Sequence, residues 1–267
     1  MIERTPAVAG LFYPDDPVEL MATVDRLIGP DPRAETAVAL VVPHAGYMYS
    51  GEIAGAVYRQ VRVPETVIVL CPNHTGHGAR AAIMTDGRWR IPGRSVPIDT
   101  DIAEELQGLA LLSEDTVAHA QEHSLEVHLP FLVRRRPEVR FVPICLSMLP
   151  YESCARIGTA IADVVIKHGR DVLVVASTDM SHYVPADVAA AQDRLALDCI
   201  DALDTKGLYR TVADRDISMC GVVPTTVALA AAQALGAQTA DLVQYGHSGE
   251  TSGDFERVVG YAGYVIR

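Results

Sequence analysis

The sequence lacks the features that mark secreted and membrane-spanning proteins. Its five cysteines are odd in number, widely spaced and without a C-x-x-C pair, which argues against a disulfide framework and a structural zinc knuckle. No apolar run approaches the length of a membrane span, and the first residues carry no apolar stretch behind a basic one. We therefore expect a cytoplasmic protein without a membrane partner.

Basic residues are scarce: 22 lysines and arginines stand against 34 aspartates and glutamates, a formal net charge of −12. The two signs are interspersed, so the surface as a whole repels phosphate backbones and we expect no nucleic-acid partner. The motifs G-x-S-x-G and G-x-G-x-x-G are absent, and the polar stretch 246–253 lacks the lysine of a phosphate-binding loop. We interpret that stretch as a flexible loop that could lie over a pocket as a lid.

Hydrophobic residues make up 49% of the 267 residues, enough to fill the core of a domain of this length. No linker, charge block or repeat divides the chain, so we expect one domain. Short apolar runs alternate with longer amphipathic stretches, as is typical of βα repeats. Because several runs are rich in valine and isoleucine without polar alternation, we predict an α/β fold with a largely parallel central sheet flanked by helices.

The pattern places these elements along the chain as follows. The predicted strands are Ala37–Val42, Thr66–Cys71, Arg140–Leu146, Asp171–Ala176, Asp241–Tyr245 and Arg257–Val265. The predicted helices are Pro17–Ile28, Glu52–Val61, Asp101–Gly108, Tyr151–His168, Pro185–Leu203 and Val222–Leu235. Asp16 and Ser50 are predicted to cap the first two helices.

Polar side chains follow three of the predicted strands at the point where each strand ends. His44 follows the first strand, His74 the second, and Asp179 and His182 the strand that ends at Ala176. Ligands of open α/β sheets bind at the carboxyl ends of the strands. We therefore predict that these loops meet at one edge of the sheet.

Two interpretations of these residues stay open. Neutral imidazoles from separate strands suit a facial site for iron, zinc or manganese, but His44 and His74 could also be loop histidines bonded to backbone carbonyls. Asp179 and His182 are three apart, so the aspartate could orient the imidazole, or both could bind a metal; the alternative is a capping aspartate beside an exposed histidine.

Two further positions carry reactive groups. Cys220 precedes the predicted helix Val222–Leu235, where a helix N-terminus lowers a thiol pKa; the other four cysteines fit small buried apolar residues. The stretch 122–130 is dense in titratable groups, and Glu122 and Glu126 would share a helical face. Either this stretch is a helix start supported by carboxylate–imidazole bonds, or His123 reaches the pocket as an acid/base or substrate-orienting group.

These segments together resemble the Memo family, whose prokaryotic members are called AmmeMemoRadiSam system protein B. The resemblance covers the whole chain, 1–267, through six ordered motifs: Arg4–Pro14, Pro43–Gly51, Pro72–His74, Glu122–Pro130, Ser177–His182 and Met219–Gly221. It implies a fold like that of class III extradiol dioxygenases, with His44 and His74 as metal ligands. It further implies that His182 is the acid/base, that Asp179 stands beside it, and that Cys220 replaces a carboxylate ligand.

The resemblance thus predicts a non-haem iron-dependent protein with a redox or oxygenase-like role, in which iron(II), or else copper or zinc, binds His44, His74 and Cys220. A thiolate in place of a carboxylate softens the site and disfavours ordinary dioxygen activation. The prokaryotic family name implies radical-SAM and AMMECR-domain partners. The alternatives are a non-catalytic module that binds a peptide or small-molecule ligand in the same pocket, a zinc-dependent hydrolase, and a Cys220 nucleophile.

Overall fold

A computed structural model describes residues 2–30 and 35–267. The strands of this part of the chain are β1 (Glu3–Arg4), β2 (Ala39–Val42), β3 (Thr66–Pro72), β4 (Ala81–Ile83), β5 (Arg88–Ile91), β6 (Arg94–Pro97), β7 (Ser113–Glu114), β8 (Arg140–Leu146), β9 (Val172–Ser177), β10 (His182–Val184), β11 (Ala240–His247) and β12 (Val258–Ile266). Its helices are α1 (Pro17–Ile28), α2 (Tyr47–Gln60), α3 (Thr100–Gly108), α4 (Val117–Ala120), α5 (His123–Glu126), α6 (Leu129–Arg135), α7 (Tyr151–His168), α8 (Ala186–Asp201), α9 (Thr205–Asp214), α10 (Val222–Ala234) and α11 (Gly249–Ser252).

The main sheet has the order β10-β12-β2-β9-β3-β8-β4-β7, with β11 paired to β12. Its four central strands, β2, β9, β3 and β8, run parallel. The sheet is mixed, because β12 is antiparallel to β2 and β4 is antiparallel to β8. A second, three-stranded sheet has the order β1-β5-β6. The predicted single-domain α/β fold is confirmed, with antiparallel strands flanking the parallel centre.

The central strands are apolar because helices cover them. Every residue of β2, β3 and β9 is buried. On one side α10 packs against β9 and α7, and elsewhere α2 packs against β11 and β12. A polar side chain therefore finds room only where a strand ends, which places the ligand-binding chemistry in the loops. No helix among the described residues is both long and apolar enough to cross a membrane.

The predicted elements lie within about two residues of the observed ends, with one exception. Asp16 caps α1 as predicted, since its Oδ1 accepts hydrogen bonds from the backbone of Val18 and Glu19. The predicted start of α2 at Glu52 is wrong: the helix begins at Tyr47. The Tyr47 N–H donates to the Phe12 carbonyl, a tertiary contact that replaces a capping side chain. Ser50 therefore lies inside the helix.

Candidate metal centre

A cavity of about 680 Å³ opens at the carboxyl ends of the parallel strands. The loops after β2, β3 and β9 all reach it, as the sequence predicts. Its lining includes five titratable side chains that the sequence singled out: His44, His74, His123, Asp179 and His182. The Cys220 thiol contacts this group from the side of Asp179.

Three of the imidazoles form a compact cluster. His44, His74 and His123 each offer one ring nitrogen, and these nitrogens lie within 4.8 Å of one another. The ring centroids are 5.2 Å apart for His44 and His74, 5.5 Å for His44 and His123, and 4.7 Å for His74 and His123. The three residues come from the end of β2, the end of β3 and the start of α5. Such a set of imidazole nitrogen donors could hold a transition-metal ion.

Glu122 holds His74 and also lies beside His123, whose Nδ1 is 3.5 Å from Glu122 Oε1. Its fully buried carboxylate accepts from His74 Nδ1 at 2.9 Å and from the His74 backbone at 2.6 Å. It also accepts from the Ser124 backbone and hydroxyl. Burial alone would raise the pKa of Glu122, but the bonds from His74 and Ser124 outweigh it and lower the pKa to about 2. Glu122 is thus an anion that occupies Nδ1 of His74 and leaves Nε2 for a ligand.

His44 is the most buried member of the cluster. Its Nδ1 lies 2.7 Å from the hydroxyl of Ser177, the last residue of β9. Burial, together with the neighbouring imidazoles, lowers the pKa of His44. The ring is therefore neutral at physiological pH.

His123 completes the cluster from the first turn of α5. Burial lowers its pKa, although the nearby Glu122 carboxylate acts against this shift. The Phe12 ring packs against it with centroids 4.9 Å apart. The short helix also corrects one expectation: Glu122 and Glu126 do not share a face. Glu126 instead binds Arg4, Tyr13 and the backbone of residues 7 and 8. These bonds hold the N-terminal segment against α5.

Asp179 contacts His44, although its spacing in the sequence suggested that it orients His182. Asp179 Oδ1 accepts from the His44 backbone at 2.8 Å, and Oδ2 lies 3.8 Å from His44 Nε2. Burial raises the pKa of Asp179 to about 7. His182 stands at the start of β10 rather than in a helical turn, and the Ser218 carbonyl orients it by accepting from Nδ1 at 2.9 Å.

Cys220 sits in an environment opposite to the one the sequence suggested. Its Sγ is 3.4 Å from His44 Nε2 and accepts from the Asp179 backbone at 3.2 Å. Burial and the nearby Asp179 raise the pKa of the thiol, so the predicted lowering by the helix N-terminus is wrong for the metal-free protein. The compact cluster contains His123 where the resemblance implied Cys220, and the ligand assignment stays a prediction.

The other cysteines need one correction. All five are free; Cys71, Cys145 and Cys154 are buried as expected, whereas Cys199 is half-buried. The prediction of a flexible loop at 246–253 is wrong, because Gly246 and His247 end β11 and residues 249–252 form α11. Ser248 and Ser252 line the cavity, and a role of this segment as a lid stays a prediction.

Gly221 allows β9 and α10 to approach each other at this point. A Cβ atom there would lie 2.4 Å from the Ser177 carbonyl oxygen and 2.4 Å from Thr178 Cβ. The Gly221 N–H donates to the Thr178 hydroxyl at 3.0 Å. The absence of a side chain is therefore what lets the segment of Cys220 contact the end of β9.

Sequence reasoning missed the residues that hold the imidazoles. Glu122 stood in a noted stretch but was not paired with His74, and Ser177 stood in a noted motif without a role. The available signal for Ser177 was a serine directly after the apolar run 172–176 and directly before Thr178 and Asp179. Nothing in the sequence pointed to Ser218.

The chain is similar to known proteins along nearly its whole length. A family model described as Memo-like protein matches residues 4–265. A MEMO1 family protein of Methanopyrus kandleri is 43% identical over 281 residues, covering 100% of this chain and 99% of that protein. A MEMO1 family protein of Aquifex aeolicus is 41% identical, covering 98% of each. An uncharacterized protein of Escherichia coli K12 superposes with a TM-score of 0.53 over 85% of this chain and 99% of that chain; at 12% identity it shows a likeness of fold alone.

Proposed function

This chain belongs to the Memo family, and we propose that it is a metal-dependent protein with an oxygenase-like or redox role on a small molecule bound in the cavity. One observation carries the proposal: three imidazole nitrogens lie within 4.8 Å of one another at a cavity. The supporting contact is the pair of Glu122 with His74 Nδ1, because metal-binding histidines generally donate their second N–H to a carboxylate or carbonyl.

The donor chemistry fits iron(II), with copper and zinc as alternatives. Neutral imidazoles bind all three ions, and non-haem iron sites combine histidines with a carboxylate on one face. Here the Asp179 carboxylate lies 3.8 Å from His44 Nε2. A bound ion would supply a Lewis-acidic centre with positions open to a ligand. We retain Cys220 as an alternative ligand because its Sγ is 3.4 Å from the same nitrogen.

The chain's own residues have distinct parts in this proposal. His182 donates from Nδ1 to the Ser218 carbonyl, so Nε2 is the ring nitrogen left to accept a proton from a ligand in the cavity. Asp179 holds His44 in place by accepting a hydrogen bond from its backbone N–H. The radical-SAM and AMMECR-domain partners implied by the family resemblance remain part of the proposal.

Elemental analysis of anaerobically purified protein tests the metal site. We expect the wild type to hold about one equivalent of metal, and His44→Ala, His74→Ala and His123→Ala to lose it. His77→Ala is the matched control, an exposed histidine in the same loop as His74. Cys220→Ser decides between the two ligand sets, because it loses metal only if the thiol is a ligand. A wild type that stays metal-free after reconstitution with iron(II), copper and zinc would overturn the proposal.

A second candidate is a binding module that uses the cavity without catalysis. Large apolar side chains at the mouth favour it: Leu11 is 80% exposed, Met48 69% and Tyr183 67%. Exposed apolar groups around a cleft are typical of ligand-binding surfaces. This candidate predicts that chelator-treated protein still binds an apolar anionic dye, and that Leu11→Ser and Met48→Ser weaken the binding. Dye binding that requires the metal would contradict it.

A further inference from the structure

The hydroxyl of Ser177 is the meeting point of three hydrogen bonds. Its Oγ lies 2.7 Å from His44 Nδ1, 2.9 Å from His128 Nε2 and 2.6 Å from the Ser124 carbonyl oxygen. Ser177, Ser124 and His128 are all buried. The protons of these bonds therefore have to be supplied by the three side chains themselves.

A count of donors assigns every proton in this network. A carbonyl oxygen only accepts, so the single hydroxyl proton of Ser177 goes to the Ser124 carbonyl. Both imidazoles must then donate to Ser177 Oγ: His44 from Nδ1 and His128 from Nε2. The neutral His128 ring is left with an unprotonated Nδ1, which agrees with the absence of a hydrogen-bond partner for this atom among the described residues.

The same count fixes the protonation state of the other ring nitrogen of His44, Nε2. A neutral ring protonated at Nδ1 carries a bare Nε2, and Nε2 is the atom beside Cys220 and the cluster. The competing tautomer has its proton on Nε2, where it would face two acceptors: Asp179 Oδ2 at 3.8 Å and Cys220 Sγ at 3.4 Å. Without an acceptor at Nδ1, that tautomer would be favoured, and the metal-binding nitrogen would carry a proton.

We propose that Ser177 is a positioning residue that holds His44 in the Nδ1–H tautomer and so keeps Nε2 free for a metal ion. Ser177 acts through His44 and does not itself reach the cavity. The consequence for metal binding rests on the proposed function, whereas the tautomer is a property of the metal-free protein. The two parts can therefore fail separately.

The tautomer is measured on metal-free protein labelled with ¹⁵N in histidine. Long-range proton–nitrogen correlation spectra at neutral pH distinguish a protonated from a bare ring nitrogen, and His44→Gln identifies the His44 signals by their loss. We expect Nδ1–H for His44 in the wild type and a shift towards Nε2–H in Ser177→Ala. Thr226→Val is the control, because it removes a buried hydroxyl that donates to the Val222 carbonyl in α10.

Metal affinity is measured in parallel by competition with a chelator, with iron(II) or zinc alone as the probe. Loss of a group that orients a metal ligand weakens binding about 10- to 100-fold, and we expect this for Ser177→Ala but not for Thr226→Val. A wild-type His44 protonated at Nε2 would overturn the inference even if Ser177→Ala failed to fold. Unchanged tautomer and affinity in a folded Ser177→Ala would also overturn it. A wild type that has the Nδ1–H tautomer but binds no metal would overturn only the proposed function.

Discussion

The two ends of the parallel strands hold polar clusters of opposite character. At the amino ends, Arg62 pairs with Asp171 and Arg170 with Asp101, and all four side chains are at least 40% exposed. At the carboxyl ends His44, Glu122 and Asp179 are buried, and burial keeps the pKa of His44 low. These exposed charges neutralise each other in contact with water, although Arg170 also pairs with the buried carboxylate of Asp99. At the second end buried partners fix the imidazoles, since Ser177 Oγ lies 2.7 Å from His44 Nδ1 and the Glu122 carboxylate lies 2.9 Å from His74 Nδ1. The comparison shows that preorganisation, rather than the number of charges, marks the candidate site.

Removing the Glu122 carboxylate is expected to give the largest effect. Glu122→Ala leaves four donors from His74 and Ser124 without their acceptor, so we expect the free energy of unfolding to fall by about 3–5 kcal/mol. Urea unfolding of metal-free protein measures it. Glu65→Ala is the control, an exposed carboxylate 3.9 Å from Arg140 at the amino ends. Equal losses of unfolding free energy in the two variants would contradict the difference between the two ends of the strands.

An acid titration tests whether a buried imidazole outside the cavity, His119, is also held neutral. His119, in the helix preceding α5, is fully buried, and burial lowers its pKa to about 4. The unfolded chain binds this proton below about pH 6.5, so the contribution of His119 to stability is present above that pH and is lost as the pH falls towards 4. Between about pH 7.5 and pH 5 the loss is about 2 kcal/mol.

The measurement compares His119→Gln with the wild type. The raised pKa of Asp179 acts in the opposite direction, since that carboxyl takes up its proton in the folded state first. Other groups cancel in the difference between the two proteins. We expect the wild type to lose more stability than His119→Gln over this range. Parallel pH profiles would show that His119 is not held neutral.

The smallest effect is expected at the amino ends. Asp171→Ala breaks the exposed pair with Arg62 and should lower the free energy of unfolding by less than about 1 kcal/mol. Added salt should shrink the difference further, because exposed ion pairs are screened. A loss comparable to that of Glu122→Ala would mean that these surface pairs stabilise the fold as strongly as the buried cluster does.

The sequence predicted the central strands and the convergence of their loops, because both follow from local patterns. Valine-rich runs reveal buried strands, and parallel strands bring their carboxyl ends to one edge. His123 was recognised as a candidate for the pocket, but Cys220 was expected to have a low pKa. Burial and the nearby Asp179 instead raise the pKa of the Cys220 thiol, and only the tertiary structure defines both causes.

Partners distant in the chain were beyond local patterns. Glu122 meets His74 across 48 positions, and Ser177 meets His44 across 133. The predicted start of α2 was wrong for the same reason, since the Tyr47 N–H donates to the distant Phe12 carbonyl. Local spacing was misleading for Asp179 and His182, because the segment between them is irregular rather than helical and the two side chains contact different partners.

The close approach at Gly221 makes this site sensitive to change at a residue with no functional group. Its backbone angles suit any amino acid, so the restriction is one of space alone. Even alanine would press on the backbone carbonyl of Ser177, the residue whose hydroxyl bonds His44. During sequence divergence, position 221 should therefore tolerate less variation than many charged positions. A substitution there would disturb metal binding at the site while every proposed ligand is still present.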